Sequence, residues 1–383
     1  MIRIAATIAV LAALWAIPSA SPATRETAST IAGQRALASY VAMQRYFYAP
    51  GRSTWLGTYP PVGWGYAQLW PYSQALSATL QVARLPGGRD ALASLQGRIA
   101  GLSAFRAALA GQLAYAPLHG GMGNPFYDDD DWAGMDLVAA GDLLHDGSDV
   151  AAAQQVLAWI RRGWDAHAQV CRGGVYWLMP GGTYWNRSPG SRYRTAVSTL
   201  NAALLAMLLY ERTHSSGDLR WAESAYGWTK RCLDAGEGLI ADHIDSAGNV
   251  TAAVRSYNQG AAVATAVHLY EATHDHRYLT DAVRTTDAAL SAFRDPLATG
   301  ENASFLAIFY GDLLTLAPLA RNAPIHAAIE AFANQAWAEE RDPKTGLFHF
   351  GETLATLLDQ SAMVQIYAEL AVTQAAQPAR RSP

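Results

Sequence analysis

The sequence predicts an all-α protein, an (α/α)6 barrel of twelve helices paired in six hairpins. Three observations support this fold class. Apolar residues recur at helical spacing along most of the chain, as in Val197, Leu200, Leu204 and Leu208. Strand-like runs are few and short, and the connections between helices alternate between short and long. Because short connections join antiparallel neighbours, this alternation indicates hairpins that pack side by side as an inner and an outer ring.

The predicted helices follow one another along nearly the whole chain. Their ranges are 29–47, 65–83, 88–112, 129–145, 148–164, 191–214, 218–235, 256–274, 276–293, 302–319, 322–338 and 353–374. Turn-forming residues, such as those at 147–148 and 215–217, end the even-numbered helices. The long loops contain three strand-like segments, at 174–177, 238–242 and 346–350. Since the long loops follow odd-numbered helices, we expect them on one face, where loops on a rigid scaffold usually carry the function.

The two ends of the chain differ in composition from the predicted barrel. Residues 1–23 contain one Arg, an apolar stretch over 4–17 and then small residues of the kind found at cleavage sites, which is typical of a secretory signal peptide. The alternative is a membrane anchor, but the stretch is shorter than the roughly 20 residues that span a bilayer. We therefore expect a secreted or extracytoplasmic protein without stable membrane insertion. A single (α/α)6 domain would cover 24–376, and 377–383 would form a disordered tail.

Composition excludes several classes of protein. Hydrophobic residues make up 51% of the 383 positions, too many for a disordered chain, and the net charge of -4 argues against nucleic-acid binding. Cys171 and Cys232 could form one disulfide or remain two buried thiols, and the sequence leaves both readings open. The His residues lack metal-ligand spacing, so the sequence predicts no metal and no cofactor. We expect a monomer.

Four consecutive acids, Asp128 to Asp131, precede or begin the fourth predicted helix at the end of a long loop. One or two acids would suffice to cap a helix, and capping remains the alternative for a member such as Asp130. Four adjacent acids raise one another's pKa, which favours a chemical role. Glycoside hydrolysis uses two carboxyl groups, one ionised and one protonated. In retaining enzymes the two carboxyl groups lie about 5–5.5 Å apart, and in inverting enzymes they lie farther apart. Two adjacent residues reach the shorter separation more easily, so the pair favours retention.

The predicted loop face also carries side chains suited to sugar binding. Aromatic rings there could stack on pyranose rings or could simply pack in the core. These aromatic residues are Trp55, Trp64, Tyr176, Trp177, Tyr184, Trp185 and Tyr257. Asn258 and Gln259 could bind sugar hydroxyls or cap a helix, and Asp242 could hold a hydroxyl or end a turn. Arg194 lies near the start of an inner helix on the same face.

These motifs, in this order, resemble glycoside hydrolase family 76, the endo-α-1,6-mannanases. The matching segments are Tyr127-Asp-Asp-x-x-Trp132, Gly173-Gly-Val-Tyr-Trp177 and Tyr257-Asn-Gln-Gly260. The resemblance spans about residues 30–375 and implies an (α/α)6 barrel that cleaves α-1,6-mannan with retention. It assigns Asp128 as the nucleophile and Asp129 as the acid/base, and it places Tyr127 and Trp132 among the substrate-binding residues.

The chain departs from the family pattern before an inner helix. Where the family often has Lys-Asn-x-x-Ser-Asn, this chain has Arg194-Thr-Ala-Val-Ser-Thr199. The change leaves the Asp pair intact and bears on the substrate and its branching. Two alternatives stand beside mannan hydrolysis: a transglycosidase that remodels cell-wall mannan, and a non-catalytic glycan-binding protein on the same fold.

Overall fold

The computed structural model describes residues 31–63, 65–181, 189–298 and 300–376, and this part of the chain contains twelve α-helices. They are α1 (Ile31–Phe47), α2 (Leu69–Ala83), α3 (Arg89–Gly101), α4 (Tyr127–Leu144), α5 (Gly147–Ile160), α6 (Ala196–Thr213), α7 (Ser216–Cys232), α8 (Ser256–Thr273), α9 (His276–Ala292), α10 (Ala303–Leu316), α11 (Asn322–Glu339) and α12 (Leu357–Ala376). The predicted signal peptide and tail lie outside the described residues. None of the described helices has the length and apolar character needed to cross a membrane.

The even-numbered helices form a closed inner ring. Each contacts the next along the chain, and α12 packs against α2 to complete the circle. The odd-numbered helices form the outer layer, since α3, α5, α7 and α9 each pack on the even helix before them and α1 packs on α12. This arrangement confirms the predicted all-α (α/α)6 barrel.

Burial distinguishes the two layers. In α6 and α8 most residues are buried, 13 of 18 and 12 of 18, because an inner helix is covered by two ring neighbours and an outer helix. In α9 the buried residues are Ala282, Thr285, Thr286 and Ala289, which recur at three- and four-residue spacing along one face. The ring is therefore assembled from helices that are apolar on most sides, and the outer layer from helices with one apolar stripe.

Short strands join the long loops at the N-terminal end of the inner helices. The strands are β1 (Tyr48–Ala49), β2 (Thr54–Trp55), β3 (Thr58–Tyr59), β4 (Arg194–Thr195), β5 (Asp234–Gly236), β6 (Leu239–Ile240), β7 (His243–Ile244) and β8 (Ala355–Thr356). They pair antiparallel as β1–β2, β3–β8, β4–β7 and β5–β6. The β3–β8 pair connects the first long loop with the last, and β4–β7 connects the entrances to α6 and α8.

The third predicted helix is too long in the sequence analysis. It was predicted over 88–112, whereas α3 ends at Gly101 and is followed by a 3-10 turn at Leu102–Phe105. Arg106 then bridges to Tyr115, so this segment joins the loop layer. The helices α2, α6 and α12 also begin four or five residues later than predicted, and strand pairs occupy the entrances to α6 and α12.

Candidate active site

A cleft of about 440 Å³ opens on the loop face, at the N-terminal ends of the inner helices. The long loops and the first turns of α2, α4, α8 and α10 supply its walls. Six of the predicted site residues line it: Asp128, Asp129, Trp132, Trp177, Asp242 and Tyr257. The cleft thus brings together both predicted catalytic acids and a subset of the predicted substrate-binding side chains.

The four consecutive acids begin α4 and point in different directions, because successive helical residues are rotated by about 100°. Asp128 and Asp129 are partly exposed to the cleft. Asp130 and Asp131 are fully buried. One acidic run therefore supplies a pair of reactive carboxyl groups and two interior ones.

The Asp128 carboxylate is held by the indole of Trp177, whose Nε1–H donates to Oδ2 at 3.0 Å. Burial raises the pKa of Asp128 to about 7. The Trp177 hydrogen bond and the backbone N–H groups of Asp128 and Asp129 counteract that rise, since they favour the ionised form. The other carboxylate oxygen, Oδ1, has no hydrogen-bond partner among the described residues.

Among the described residues, Asp129 has no comparable donor to stabilise its charged form. Burial, with the adjacent charges of Asp128 and Asp130, holds the pKa of Asp129 well above its usual range. The two neighbours thus differ in environment, because Asp128 accepts stabilising hydrogen bonds and Asp129 faces like charges. At neutral pH this favours a proton on Asp129 and ionisation of Asp128.

Asp130 anchors the loop that precedes α4. Its Oδ1 accepts the backbone N–H of Tyr115 at 2.8 Å, and its Oδ2 accepts the Trp159 indole N–H at 2.8 Å. These bonds tie the loop and the outer helix α5 to the first turn of α4. Helix capping is the alternative role that the sequence leaves open for Asp130, but the side chain instead links two other parts of the fold.

Asp131 is the second interior acid of the run. Neither of its carboxylate oxygens has a hydrogen-bond partner among the described residues. Burial and the charges of Asp128 and Asp130 hold its pKa well above the usual range. A proton on this side chain removes a charge from the interior directly beneath the reactive pair.

Asp242 organises the opposite wall of the cleft. Its Oδ1 accepts hydrogen bonds from the Tyr257 hydroxyl at 3.2 Å and from Asn258 Nδ2 at 3.0 Å. Its Oδ2 lies 2.9 Å from His243 Nδ1. The His243 ring stacks on Tyr193, with ring centroids 3.9 Å apart. Asn258 is buried beneath this network and does not line the cleft.

Arg194 and Tyr176, both predicted as substrate-binding residues, lie behind the cleft wall. The Arg194 guanidinium is buried and donates to the carbonyl oxygens of Cys171 and Gly173. The Tyr176 hydroxyl donates to Asp165 Oδ2 at 2.6 Å. Both side chains hold the loop between α5 and α6, and neither lines the cleft.

A disulfide joins Cys171 to Cys232, which decides between the two readings that the sequence left open. It ties the loop after α5 to the C-terminal end of α7. The indole of Trp228, one turn earlier on α7, also donates to the Cys171 carbonyl at 2.9 Å. This crosslink and the Arg194 hydrogen bonds fasten the same loop segment from two sides.

Tyr127 and Gln259 are also buried away from the cleft. The Tyr127 ring stacks on Trp159 with centroids 5.2 Å apart. The Gln259 amide exchanges hydrogen bonds with the backbone of Ile240, at 2.8 and 2.9 Å. Trp55 is buried as well. Trp64, Tyr184 and Trp185 lie outside the described residues.

Several cleft residues were missed by sequence analysis. Aromatic rings line much of the pocket, and Trp70 stacks on Phe305 with centroids 5.9 Å apart. The missed residues include Gln68, Trp70, Phe126, Tyr193, His243 and Phe305. Their position supplied a signal for some of them, because Phe126, Tyr193 and His243 adjoin residues that were selected. Trp70 and Phe305 sit within helices, where an aromatic residue usually indicates core packing.

Comparison with known proteins identifies the family. The model for glycosyl hydrolase family 76 matches residues 26–382. The chain belongs to this family. Family 76 membership makes it a glycoside hydrolase and confirms the resemblance inferred from its motifs. A search of curated proteins found no significant match.

Solved structures of family 76 proteins share the fold. A family 76 mannosidase from Bacteroides thetaiotaomicron, Bt3792, is 23% identical, with a TM-score of 0.80 over 91% of this chain and 100% of that one. A Salegentibacter α-1,6-mannanase is 19% identical, with a TM-score of 0.72 over 89% of this chain and 99% of that one. That structure is an inactive variant, with two consecutive aspartates replaced by asparagine, in complex with α-1,6-mannotriose. Dfg5 from Chaetomium thermophilum, in complex with glucosamine, is 16% identical, with a TM-score of 0.69 over 91% and 92% of the two chains.

Proposed function

We propose that this family 76 protein is a retaining endo-glycosidase that cleaves α-1,6-mannosidic linkages in mannan or a mannan-containing glycoconjugate. The observation that carries the proposal is that Asp128 and Asp129 are adjacent in the first turn of α4 and line the same cleft. The similar Salegentibacter enzyme was inactivated at two consecutive aspartates and bound to an α-1,6-mannan fragment, which supports the linkage. The open cleft, lined by aromatic rings, suits an internal segment of a chain.

In the first step, an Asp128 carboxylate oxygen attacks the anomeric carbon and forms an ester with it. The bond from that carbon to the glycosidic oxygen breaks, and this oxygen takes the proton of Asp129. The environments of the two acids support these roles, because Asp128 is hydrogen-bonded as an anion and Asp129 is held in its protonated form.

In the second step, the Asp129 carboxylate takes a proton from water, and the water oxygen attacks the same carbon. The ester bond breaks and Asp128 returns to its ionised form. Two inversions give net retention. An acceptor sugar can replace water in this step, so product analysis at high mannan concentration separates hydrolysis from transglycosylation: elongated oligosaccharides would indicate transfer.

Substitution of each acid tests the proposal. We expect Asp128→Asn to abolish release of reducing ends from linear α-1,6-mannan, and Asp129→Asn to lower kcat/KM by about 10²–10⁴-fold. Glu237→Gln, which removes an exposed carboxylate outside the cleft, is the matched control and should retain full activity. Near-normal activity in both Asp variants would overturn the assignment.

Azide rescue separates the two roles. With an activated aryl mannobioside, azide can replace the missing nucleophile of Asp128→Ala and give the inverted β-glycosyl azide. In Asp129→Ala, azide intercepts the glycosyl-enzyme and gives the retained α-glycosyl azide. The reverse pattern would exchange the roles of the two residues, and an initial β-anomer from the unmodified enzyme would contradict retention.

We also propose that the protein is exported after removal of residues 1–23. The disulfide between Cys171 and Cys232 supports this, because disulfides persist in oxidising compartments outside the cytoplasm. Cell fractionation and N-terminal sequencing test it. A mature N-terminus near residue 24 in the extracytoplasmic fraction is expected, and full-length protein confined to the cytoplasm would refute export.

A further inference from the structure

A second cavity, of about 350 Å³, lies in the barrel below the catalytic cleft, and we call it the lower cavity. All six inner helices line it with residues from their C-terminal halves or middle turns. Trp132 and Ile308 line both the lower cavity and the cleft, so these two side chains form the partition between them. The proposed glycosidase chemistry uses none of the other side chains in the lower cavity.

Three carboxyl groups line the lower cavity with an unused hydrogen-bonding oxygen each. Asp136 is 4% exposed, and its Oδ1 accepts the Ser77 hydroxyl at 2.6 Å while its Oδ2 has no partner among the described residues. Asp312 Oδ2 and Glu369 Oε2 are likewise buried without a partner there. Polar atoms this deep normally have hydrogen-bond partners, so their absence points to a ligand.

When ionised, the carboxyl groups around the lower cavity outnumber the unpaired cations that face them. Arg212 is paired with Asp142 at the mouth, and His268 contacts Glu211. Arg84 therefore remains as the cation facing three carboxyl groups. The negative ends of the six inner helix dipoles also lie at this end of the ring. Burial raises the pKa of Asp312 to about 8 and, with the neighbouring charge of Asp312, that of Glu369 to about 8, a rise that Arg84 offsets only in part.

The spacing of these groups distinguishes between kinds of cation. A metal ion needs ligand atoms that converge on one point. Among the described residues, the one group of three such side chains with ligand atoms within 4.8 Å is Glu211, His268 and Glu271, which is largely exposed and distinct from the three carboxyl groups. Asp136, Asp312 and Glu369 do not form such a group among the described residues, and they come from three different helices, which suits a ligand with more than one positive charge.

We propose that the lower cavity binds a small aliphatic polyamine, whose ammonium groups contact Asp136, Asp312 and Glu369. Each ammonium offers three N–H donors and no acceptor, which matches the unused carboxylate oxygens. The flexible chain between the charges fits a cavity with separated anions. Binding stabilises the ionised carboxylates, so it should strengthen as pH rises and release protons. The charged and titratable groups that face this site are Arg84 on α2, Asp136 and Asp142 on α4, Arg212 on α6, His268 on α8, Asp312 on α10 and Glu369 on α12.

Isothermal titration calorimetry of the intact chain with spermidine tests the proposal at constant ionic strength. We expect saturable binding that is tighter at pH 7.5 than at pH 5.5, a range in which the spermidine ammonium groups stay protonated. Glu369→Gln and Asp312→Asn keep the side-chain shape and should each weaken binding at least about tenfold, since each removes a charge-assisted hydrogen bond to an ammonium group. Glu237→Gln removes one exposed carboxylate elsewhere and should leave the affinity unchanged.

Three outcomes would overturn the proposal. They are no saturable binding, equal weakening by Glu237→Gln, and binding of Mg²⁺ or Ca²⁺ in place of spermidine. Circular dichroism of each variant establishes whether a loss of binding reflects a loss of folding, and a folded variant that still binds with unchanged affinity counts against the proposal. The readout uses no mannan, so its result is independent of the proposed glycosidase activity.

Discussion

Replacing Trp177 by Phe removes the indole N–H that holds Asp128 while keeping an aromatic ring in the cleft wall. A hydrogen bond to a charged group contributes about 1.5–3 kcal/mol, and one pKa unit corresponds to about 1.36 kcal/mol. Loss of the bond should therefore raise the pKa of Asp128 by about one to two units, from about 7. The ionised, nucleophilic fraction at pH 7 would fall from about half to between about one and ten per cent.

The assay is kcat/KM for an aryl α-1,6-mannobioside, measured from pH 5 to pH 9. The ascending limb reports ionisation of the nucleophile in the free enzyme, so it should move upward by about one to two units in Trp177→Phe. Phe126→Leu is the matched control, because Phe126 packs on Trp177 with ring centroids 4.9 Å apart and makes no hydrogen bond to Asp128. That variant should change KM and leave the limb in place. An unmoved limb in Trp177→Phe would refute the role of the indole.

Three further changes test the framework around the site. Cys171→Ser or Cys232→Ser removes a disulfide between residues 61 positions apart and should lower the free energy of unfolding in urea by about 4 kcal/mol. Reduction of the unmodified protein should lower it by a similar amount. An unchanged free energy of unfolding would contradict the role of the crosslink. Asp130→Ala leaves two buried N–H donors without an acceptor and should destabilise the fold by about 2–5 kcal/mol. An unchanged melting temperature in thermal unfolding would contradict the anchoring role of Asp130. Asp312 and Glu369, with pKa values of about 8, favour the fold while protonated, so stability should fall between about pH 4 and pH 8 by up to about 1.4 kcal/mol per pH unit for each group. Urea unfolding at pH 5, 7 and 9 should give a flatter profile for Asp312→Asn and Glu369→Gln, and an unchanged slope would refute this.

The architecture was accessible from sequence because it depends on repeated, local features. Helical periodicity and the alternation of loop lengths predicted twelve helices, the closed ring and the face that carries the cleft. The error at 102–112 has a tertiary cause, since Tyr115 is pinned by Asp130 and draws this segment out of α3. Helix propensity contains no information on such a contact.

Side-chain roles were harder to predict than side-chain positions. Arg194 and Asp242 both precede inner helices on the loop face. Arg194 nevertheless donates its hydrogen bonds to backbone carbonyls, whereas Asp242 lines the cleft. The difference depends on which loop folds against each residue. Trp177 lies in the predicted motif, but its bond to Asp128 joins residues 49 positions apart and could not be inferred from spacing.

Ring closure between α12 and α1 has a consequence for the order of folding. Gln360 on α12 donates to the Ser39 carbonyl on α1, across 321 positions of sequence, and Ser361 contacts Met43. Synthesis delivers α1 first and α12 last, so the surfaces of α1 and α2 that pack on α12 stay uncovered until translation is nearly complete. Partly made chains therefore expose apolar surface for the longest time at their N-terminal helices. The first hairpins of this barrel are the segments most in need of protection by a chaperone before the last helix arrives.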